Sequence, residues 1–415
     1  MLELASRPFG PRIAWVIPSV DAGGVGSVCR YAAEALANHG DWNVTLLSLH
    51  DPVEVPKLAG QFQLTCLGLS PDDAGDGFLN WLDGCPQDIV MSNDVAYLEP
   101  AFIELSSRTK HIIQVHDSGR RYRAVAVRNA AWTDGVLCVG KHMEKVLSRE
   151  LQKVDYRGVL KSIHNGAVFP ELSSKKLRSS SIRLLFIGRI DPIKGAWDLV
   201  KILTHLQRLG TDFTLTIAGG YSDNLECRFK FHGLQPFVKW VGVIPHHECY
   251  NLAAQNDVLL MLSRTEAFGM VTIEAMAMGC VPIAYDTPSG TTEIVENGTS
   301  GLLVRLGDYA AVARAVDRLW KNPQTLASLS KNAVKRARGS FSADLMTERM
   351  SEFFRQVLSI ERAGNAEFLT RKSNKLPPVV SGQTPIYQRL PYRLRMWLRN
   401  LLHSNPKLSL WLLTR

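Results

Sequence analysis

At 415 residues the chain exceeds one typical core, and two or three domains are expected. An apolar content of 46% excludes a disordered chain, and the lack of any run of about twenty uninterrupted apolar residues excludes a spanning helix. The net charge of +9 comes wholly from the nine basic residues after Phe368, where no acid occurs, which argues against a chain-wide nucleic-acid surface and for a cationic tail on a neutral body.

No signal-peptide pattern opens the sequence: the first apolar run, Ile13 to Ile17, is short and ends at Pro18. The seven cysteines are scattered and form no CxxC pair, which suits reduced thiols and a cytosolic address. Ile13–Ile17 reads as the first strand. Asp21 to Ser27 is a turn containing Gly23, Gly24 and Gly26, and Val28 to Asn38 reads as a helix. Strand, glycine turn and helix open a doubly wound α/β domain, but Cys29 fills the last glycine slot of a dinucleotide fingerprint. A nicotinamide-dependent dehydrogenase is therefore disfavoured.

Val44 to Leu49 reads as the next strand. The following forty residues give no clear pattern, and Asp72, Asp73 and Asp76 read as a solvated loop rather than a metal site. Asp88–Met91 and His111–Val115 read as strands ending at Asn93-Asp94 and at His116-Asp117. Polar groups just past the carboxyl ends of parallel strands face the usual ligand crevice. Arg120, Arg121, Arg123 and Arg128 follow, either as a solvated helix face or as contacts for an anionic acceptor. Gly135 to Val139 is a further strand, and the serine-rich, basic stretch 173–181 reads as an interdomain linker.

The second half opens with the strand Ile182–Ile187 and the loop Gly188-Arg189-Ile190-Asp191-Pro192-Ile193-Lys194-Gly195, before a helix from about Ala196 to Leu209. Two loop cations at a helix start suit a diphosphate: arginine forks two oxygens and lysine is a compact charge. Strands at 214–218 and 238–242 follow, and the adjacent His246 and His247 read as loop residues. The apolar strand 257–263 leads into a turn carrying Glu266, and then a helix over Met270–Met278. A helix start offers unpaired amides and a positive dipole end, and Ala267 and Gly269 let an anion approach the backbone. With Glu266 and Glu274 flanking that start, an elongated ligand with sugars at both ends and phosphates between them, a nucleotide-sugar, fits best.

Two glutamates separated by seven residues, Phe268-Gly269 among them, followed by Gly279–Ala284, Gly290–Val295 and Asn297–Val304, resemble the signature of the retaining glycosyltransferases of family GT4. The likeness is specific over 182–340 and looser over 12–170. It implies a GT-B architecture: two Rossmann-like α/β domains facing across a cleft, with 1–172 on the acceptor side, linker 173–181, nucleotide-sugar domain 182–342, crossover helix 343–365 and basic tail 366–415. It also implies site roles. Gly23, Gly24 and Gly188 would approach the donor phosphates, Val243 would lie by the nucleobase, and Glu274 would hold the ribose. Amides of Phe268, Gly269, Met270 and Val271 would bind sugar and phosphate. Glu266 would orient the sugar, Arg189 and Lys194 would neutralise the leaving diphosphate, and His116 would help hold the transferred sugar. Asp94, Asp117, Arg120 and Arg121 are the acceptor-side candidates. The expected donor is a UDP-sugar and the acceptor a glycan or lipid-linked hydroxyl, with no metal or other cofactor and no nucleic acid. Rival readings are a nucleotide-sugar epimerase on the same fold and a non-catalytic, membrane-tethered binding module. In the tail, Leu390, Leu394, Trp397, Leu398 and Leu401 share one helical face with arginines around them, so 386–403 would meet an anionic membrane surface on the cytoplasmic side, or pack on the protein body.

Overall fold

The computed structural model describes residues 10–20, 23–52, 62–172 and 180–360. The tail, its candidate membrane helix at 386–403 and most of the linker lie outside the described residues.

In the first half the strands are β1 (Arg12–Ile17), β2 (Asn43–Ser48), β3 (Gln63–Cys66), β4 (Ile89–Asn93), β5 (Lys110–Val115), β6 (Gly135–Cys138) and β7 (Val159–Ser162). Between them run helices α1 (Gly23–His39), α2 (Ala74–Gly84), α3 (Phe102–Arg108), α4 (Arg120–Arg128) and α5 (Lys141–Gln152). The sheet is parallel, in the order β3-β2-β1-β4-β5-β6-β7. Helices on both faces bury strands such as Ile13–Ile17 completely, so they read as continuous apolar runs rather than alternating ones.

The second half repeats the plan. Strands β8 (Ile182–Ile187), β9 (Phe213–Ala218), β10 (Val238–Gly242), β11 (Val258–Met261), β12 (Val281–Asp286) and β13 (Leu302–Arg305) form a parallel sheet in the order β10-β9-β8-β11-β12-β13. The helices here are α6 (Asp198–Arg208), α7 (Asp223–Phe231), α8 (Glu248–Gln255), α9 (Met270–Ala277), α10 (Gly290–Ile294), α11 (Tyr309–Lys321) and α12 (Pro323–Ser340). The last described helix, α13 (Ala343–Leu358), leaves the second half and enters the core of the first. Met346, Met350, Phe353, Phe354 and Val357 recur at helical spacing and are buried among the β1 and α1 side chains. Phe354 sets its ring edge-on to Trp15 and Trp42, and the Trp42 indole donates to Ser351 Oγ at 2.7 Å. This is the two-domain, doubly Rossmann-like GT-B architecture.

Some local readings change. Helix α1 starts at Gly23, inside the stretch read as a turn, rather than at Val28. The patternless segment after β2 holds the edge strand β3 and helix α2; Asp73 precedes α2 and Asp76 lies in its first turn, where an acid suits the dipole. Each sheet has one switch point: between β1 and β4 in the first, between β8 and β11 in the second. Ligands of open parallel sheets bind at the carboxyl ends of such strand pairs. The loops after β8 and β11 meet at the second switch point, which places Arg189, Lys194 and Glu266 in neighbouring loops.

Candidate active site

The loop 188–195 is fastened against the end of β11. Gly195 has φ +76°, and a Cβ there would fall 2.1 Å from the Leu262 carbonyl oxygen, so only glycine fits. The Arg264 amide donates to the Ile193 carbonyl at 2.8 Å. This brings Lys194 to Glu266: Lys194 Nζ lies 2.6 Å from Oε1 and 2.8 Å from Oε2. Both side chains are largely shielded, at 24% and 15% exposure, which strengthens their attraction over that of a surface pair. Arg189 does not join them. It is 75% exposed, and its nearest carboxylate is Asp191 at 3.2 Å. Gly188, at φ +151°, begins the loop and donates its amide to the Ala218 carbonyl.

Gly269 precedes α9 with φ +104°, a left-handed conformation that suits glycine. The hydroxyls of Thr272 and Thr291 are buried without a hydrogen-bond partner and converge on it: a Cβ at Gly269 would sit 3.3 Å and 3.1 Å from them. Two orphaned hydroxyls at a helix start with no opposing acid in the helix's first turn fit an oxyanion. The side chains of the segment face elsewhere. Phe268 is buried against His164 and Phe341, Met270 packs on the first domain's core, and Val271 packs on a satellite core of the second.

Glu274 is buried on α9 at 2% exposure, and an acid so placed needs a partner. His246 Nε2 lies 2.7 Å from its Oε1, and His246 Nδ1 lies 3.1 Å from the Tyr31 hydroxyl of the first domain. The bond to Glu274 raises the His246 pKa against the opposing effect of burial. Val243, in the loop after β10, is 82% exposed.

Across the cleft, His116 follows β5 and is buried. Asn93 donates its amide to the Val16 and Met91 carbonyls, which turns its Oδ1 toward His116 Nε2 at 2.9 Å. His116 Nε2 is therefore the protonated nitrogen, and burial pushes the pKa down to about 4, so the ring is neutral at pH 7. Asp94 is half-buried at φ 52°, and Asp117 is exposed. Gly23 and Gly24 form the first residues of α1. Arg120 and Arg121 open α4 and are exposed. The other two arginines of that run are engaged with acids, Arg123 with Glu150 and Arg128 with Glu99, so they form part of a paired helix face.

Residues in contacts between the halves that carried no role in the sequence reading include Tyr31, His246, His164 and Glu293. Glu293 lies on α10, yet its carboxylate accepts from the Lys141 and His142 amides at the start of α5, at 2.9 and 2.8 Å, and meets His164 Nε2 at 2.7 Å. Burial raises its pKa; the bonds from His164, His142 and Lys141 outweigh this and hold it below the usual carboxylate range. Among the described residues no group of three His, Cys, Asp or Glu is placed to hold a metal, and no helix is long and apolar enough to cross a membrane.

Two doubly wound sheets, with a paired lysine and glutamate beside an anion-ready helix start, define a cleft protein of the GT-B class. Part of the chain, residues 169–336, matches the family model described as glycosyl transferases group 1. It is 26% identical over 176 residues to alpha-D-kanosaminyltransferase of Streptomyces kanamyceticus, covering 42% of this chain and 45% of that protein, so it spans less than half the length of this curated relative. By structure it is similar to sucrose-phosphate synthase from Thermosynechococcus elongatus, with TM-score 0.72 and 22% identity over 84% of this chain and 99% of that one. HepE of Anabaena in complex with UDP and glucose is also similar, with TM-score 0.66 and 18% identity over 83% and 99%.

Proposed function

We propose that the protein is a retaining glycosyltransferase that moves a hexose-type sugar from a UDP-sugar to a hydroxyl of a glycan or lipid-linked acceptor. The observation that carries this reading is the Lys194–Glu266 pair, held by two loops at the switch point beside the start of α9. A diphosphate seated at the α9 amides and the Thr272 and Thr291 hydroxyls would draw Lys194 toward it, and Glu266 would then face the sugar. Lysine neutralises charge developing on the departing diphosphate, and Glu266 stabilises positive charge growing at the anomeric carbon. Electrostatic placement of this kind typically contributes about 3–4 kcal/mol per group. Arg189, open to solvent, would swing onto the diphosphate from Asp191. Glu274 would share its carboxylate between His246 and the ribose, and neutral His116 would hydrogen-bond the sugar through Nδ1. The acceptor hydroxyl attacks on the leaving-group face and passes its proton to the departing phosphate. The match to a UDP- and glucose-bound protein favours UDP as the nucleotide.

Calorimetric titration with UDP, GDP and their common sugars tests this reading. Binding of a UDP-sugar, lost or weakened in Lys194→Ala, is the expected result. Failure of every nucleotide to bind sinks it. Conversion of the donor to a new sugar nucleotide without acceptor would instead favour an epimerase.

A further inference from the structure

Helix α5 belongs to the first domain and is preceded by Gly140, which has no side chain with which to cap it. Helix starts leave backbone amides unpaired, and Ser, Thr, Asp or Asn normally satisfies one of them. Here the cap comes from the other domain. Glu293 on α10 accepts the first two amides of α5, from Lys141 and His142, and binds His164 with the same carboxylate. Gly140 leaves the room this needs: a Cβ there would sit 3.1 Å from Glu293 Oε1.

The other end of α10 holds the candidate donor loop. The Gly290 amide donates to the Glu266 carbonyl at 3.1 Å, and a Cβ at Gly290 would collide with Phe268 Cα at 2.3 Å. Thr291 lies against Gly269. Within five residues, α10 therefore touches the loop that carries Glu266 and the start of a helix in the facing domain. Arg336 fixes α10 from behind, donating to the Glu293 and Ile294 carbonyls.

We propose that Glu293 is a positioning residue that ties the donor loop to the acceptor-side domain by capping α5 across the cleft, so that the spacing of the two halves and the placement of Glu266 are set together. This rests on the functional reading above only for its catalytic consequence; the tie itself is a property of the chain without ligand.

The test separates a cross-domain tie from an ordinary helix cap. In Glu293→Ala, hydrogen-exchange protection of the Lys141 and His142 amides falls about fivefold, as for a lost cap. The radius of gyration from small-angle scattering rises as the halves separate. Adding Gly140→Ser supplies α5 with a cap of its own; its φ of −166° and ψ of 155° already suit a capping residue. In Gly140→Ser/Glu293→Ala the protection returns, while the radius stays high and kcat for transfer stays at least tenfold down. If the added serine restores radius and turnover along with protection, Glu293 is only a cap and the proposal is overturned. An unchanged radius in Glu293→Ala overturns it as well. Glu293→Gln keeps the side chain's length and an acceptor oxygen, and is expected to lie between wild type and Glu293→Ala. UDP binding to the wild type tests the preceding reading and not this one.

Discussion

Glu274 shows how one residue's surroundings decide its use. An acid at 2% exposure on a helix buried nearly all round is costly unless matched, and His246 matches it. Protonated, His246 donates through both ring nitrogens, to Glu274 and to Tyr31; neutral, it donates to Glu274 and accepts from the Tyr31 hydroxyl. A histidine whose folded pKa is raised contributes stability that is full below its unfolded value, near 6.5, and is lost as pH rises through the folded value. Unfolding free energy should therefore fall above about pH 6.5 in the wild type by an amount absent in His246→Gln. Denaturant unfolding from pH 6 to pH 9 measures it, and parallel curves for the two proteins would contradict the assignment. The sequence made Glu274 visible because it stands eight positions after Glu266. It hid His246, because nothing in a pair of loop histidines says that a buried acid 28 residues later will face one of them. Lys194 was legible for the opposite reason: it sits between two glycines whose backbone geometry the loop requires.

At the scale of elements, the readable parts were those whose backbone requirement fixes the residue. Helix α9 was legible from good helix formers between Gly269 and Gly279, both with positive φ. Strands β1, β8 and β11 were legible as apolar runs because both faces of each sheet are covered. Strand β3 is a four-residue edge strand, exposed or half-buried along its length, and such a strand carries no strong pattern. The onset of α1 was misjudged because glycines weaken the helical signal, although the first turn accepts them. The loop that carries Lys194 is set by packing against the Leu262 carbonyl, so it should be sensitive where the turn after α6 is not. Gly195→Ala places a Cβ in that carbonyl at a left-handed φ, and a destabilisation of about 2 kcal/mol or more is expected. Gly210→Ala also stands at positive φ but meets no neighbour, and should cost about 1 kcal/mol. Thermal unfolding of the two variants compares them, and equal midpoints would show that the loop yields.

For the whole molecule, what the sequence conveyed least was how the halves meet. The repeated doubly wound plan follows from patterns local to each half, but Tyr31–His246, Ser118–Thr265 and Glu293–His164 join residues 129 to 215 positions apart, and no local pattern marks them. The crossover helix is the exception, since its stripe of Met346, Met350, Phe353, Phe354 and Val357 shows a face in need of a partner. That partner is the first domain, so the last described helix of the chain completes the core in which the first strand lies. The consequence is thermodynamic. The first domain cannot finish folding until the second has been made and α13 has returned, and a defect in α13 should unsettle the first sheet before the second. Phe354 is fully buried between Trp15 and Trp42, so Phe354→Ala leaves a cavity worth about 3–5 kcal/mol. The site proposed for the nucleotide lies on β8, β11 and α9, none of which holds that cavity. Phe354→Ala should therefore lower hydrogen-exchange protection in β1, β2 and α1 well before β8 and β11, while UDP affinity at low temperature stays within about threefold of wild type. Uniform loss of protection across both sheets would mean that the two halves unfold as one unit, and that the tie between them is stronger than the core that α13 completes.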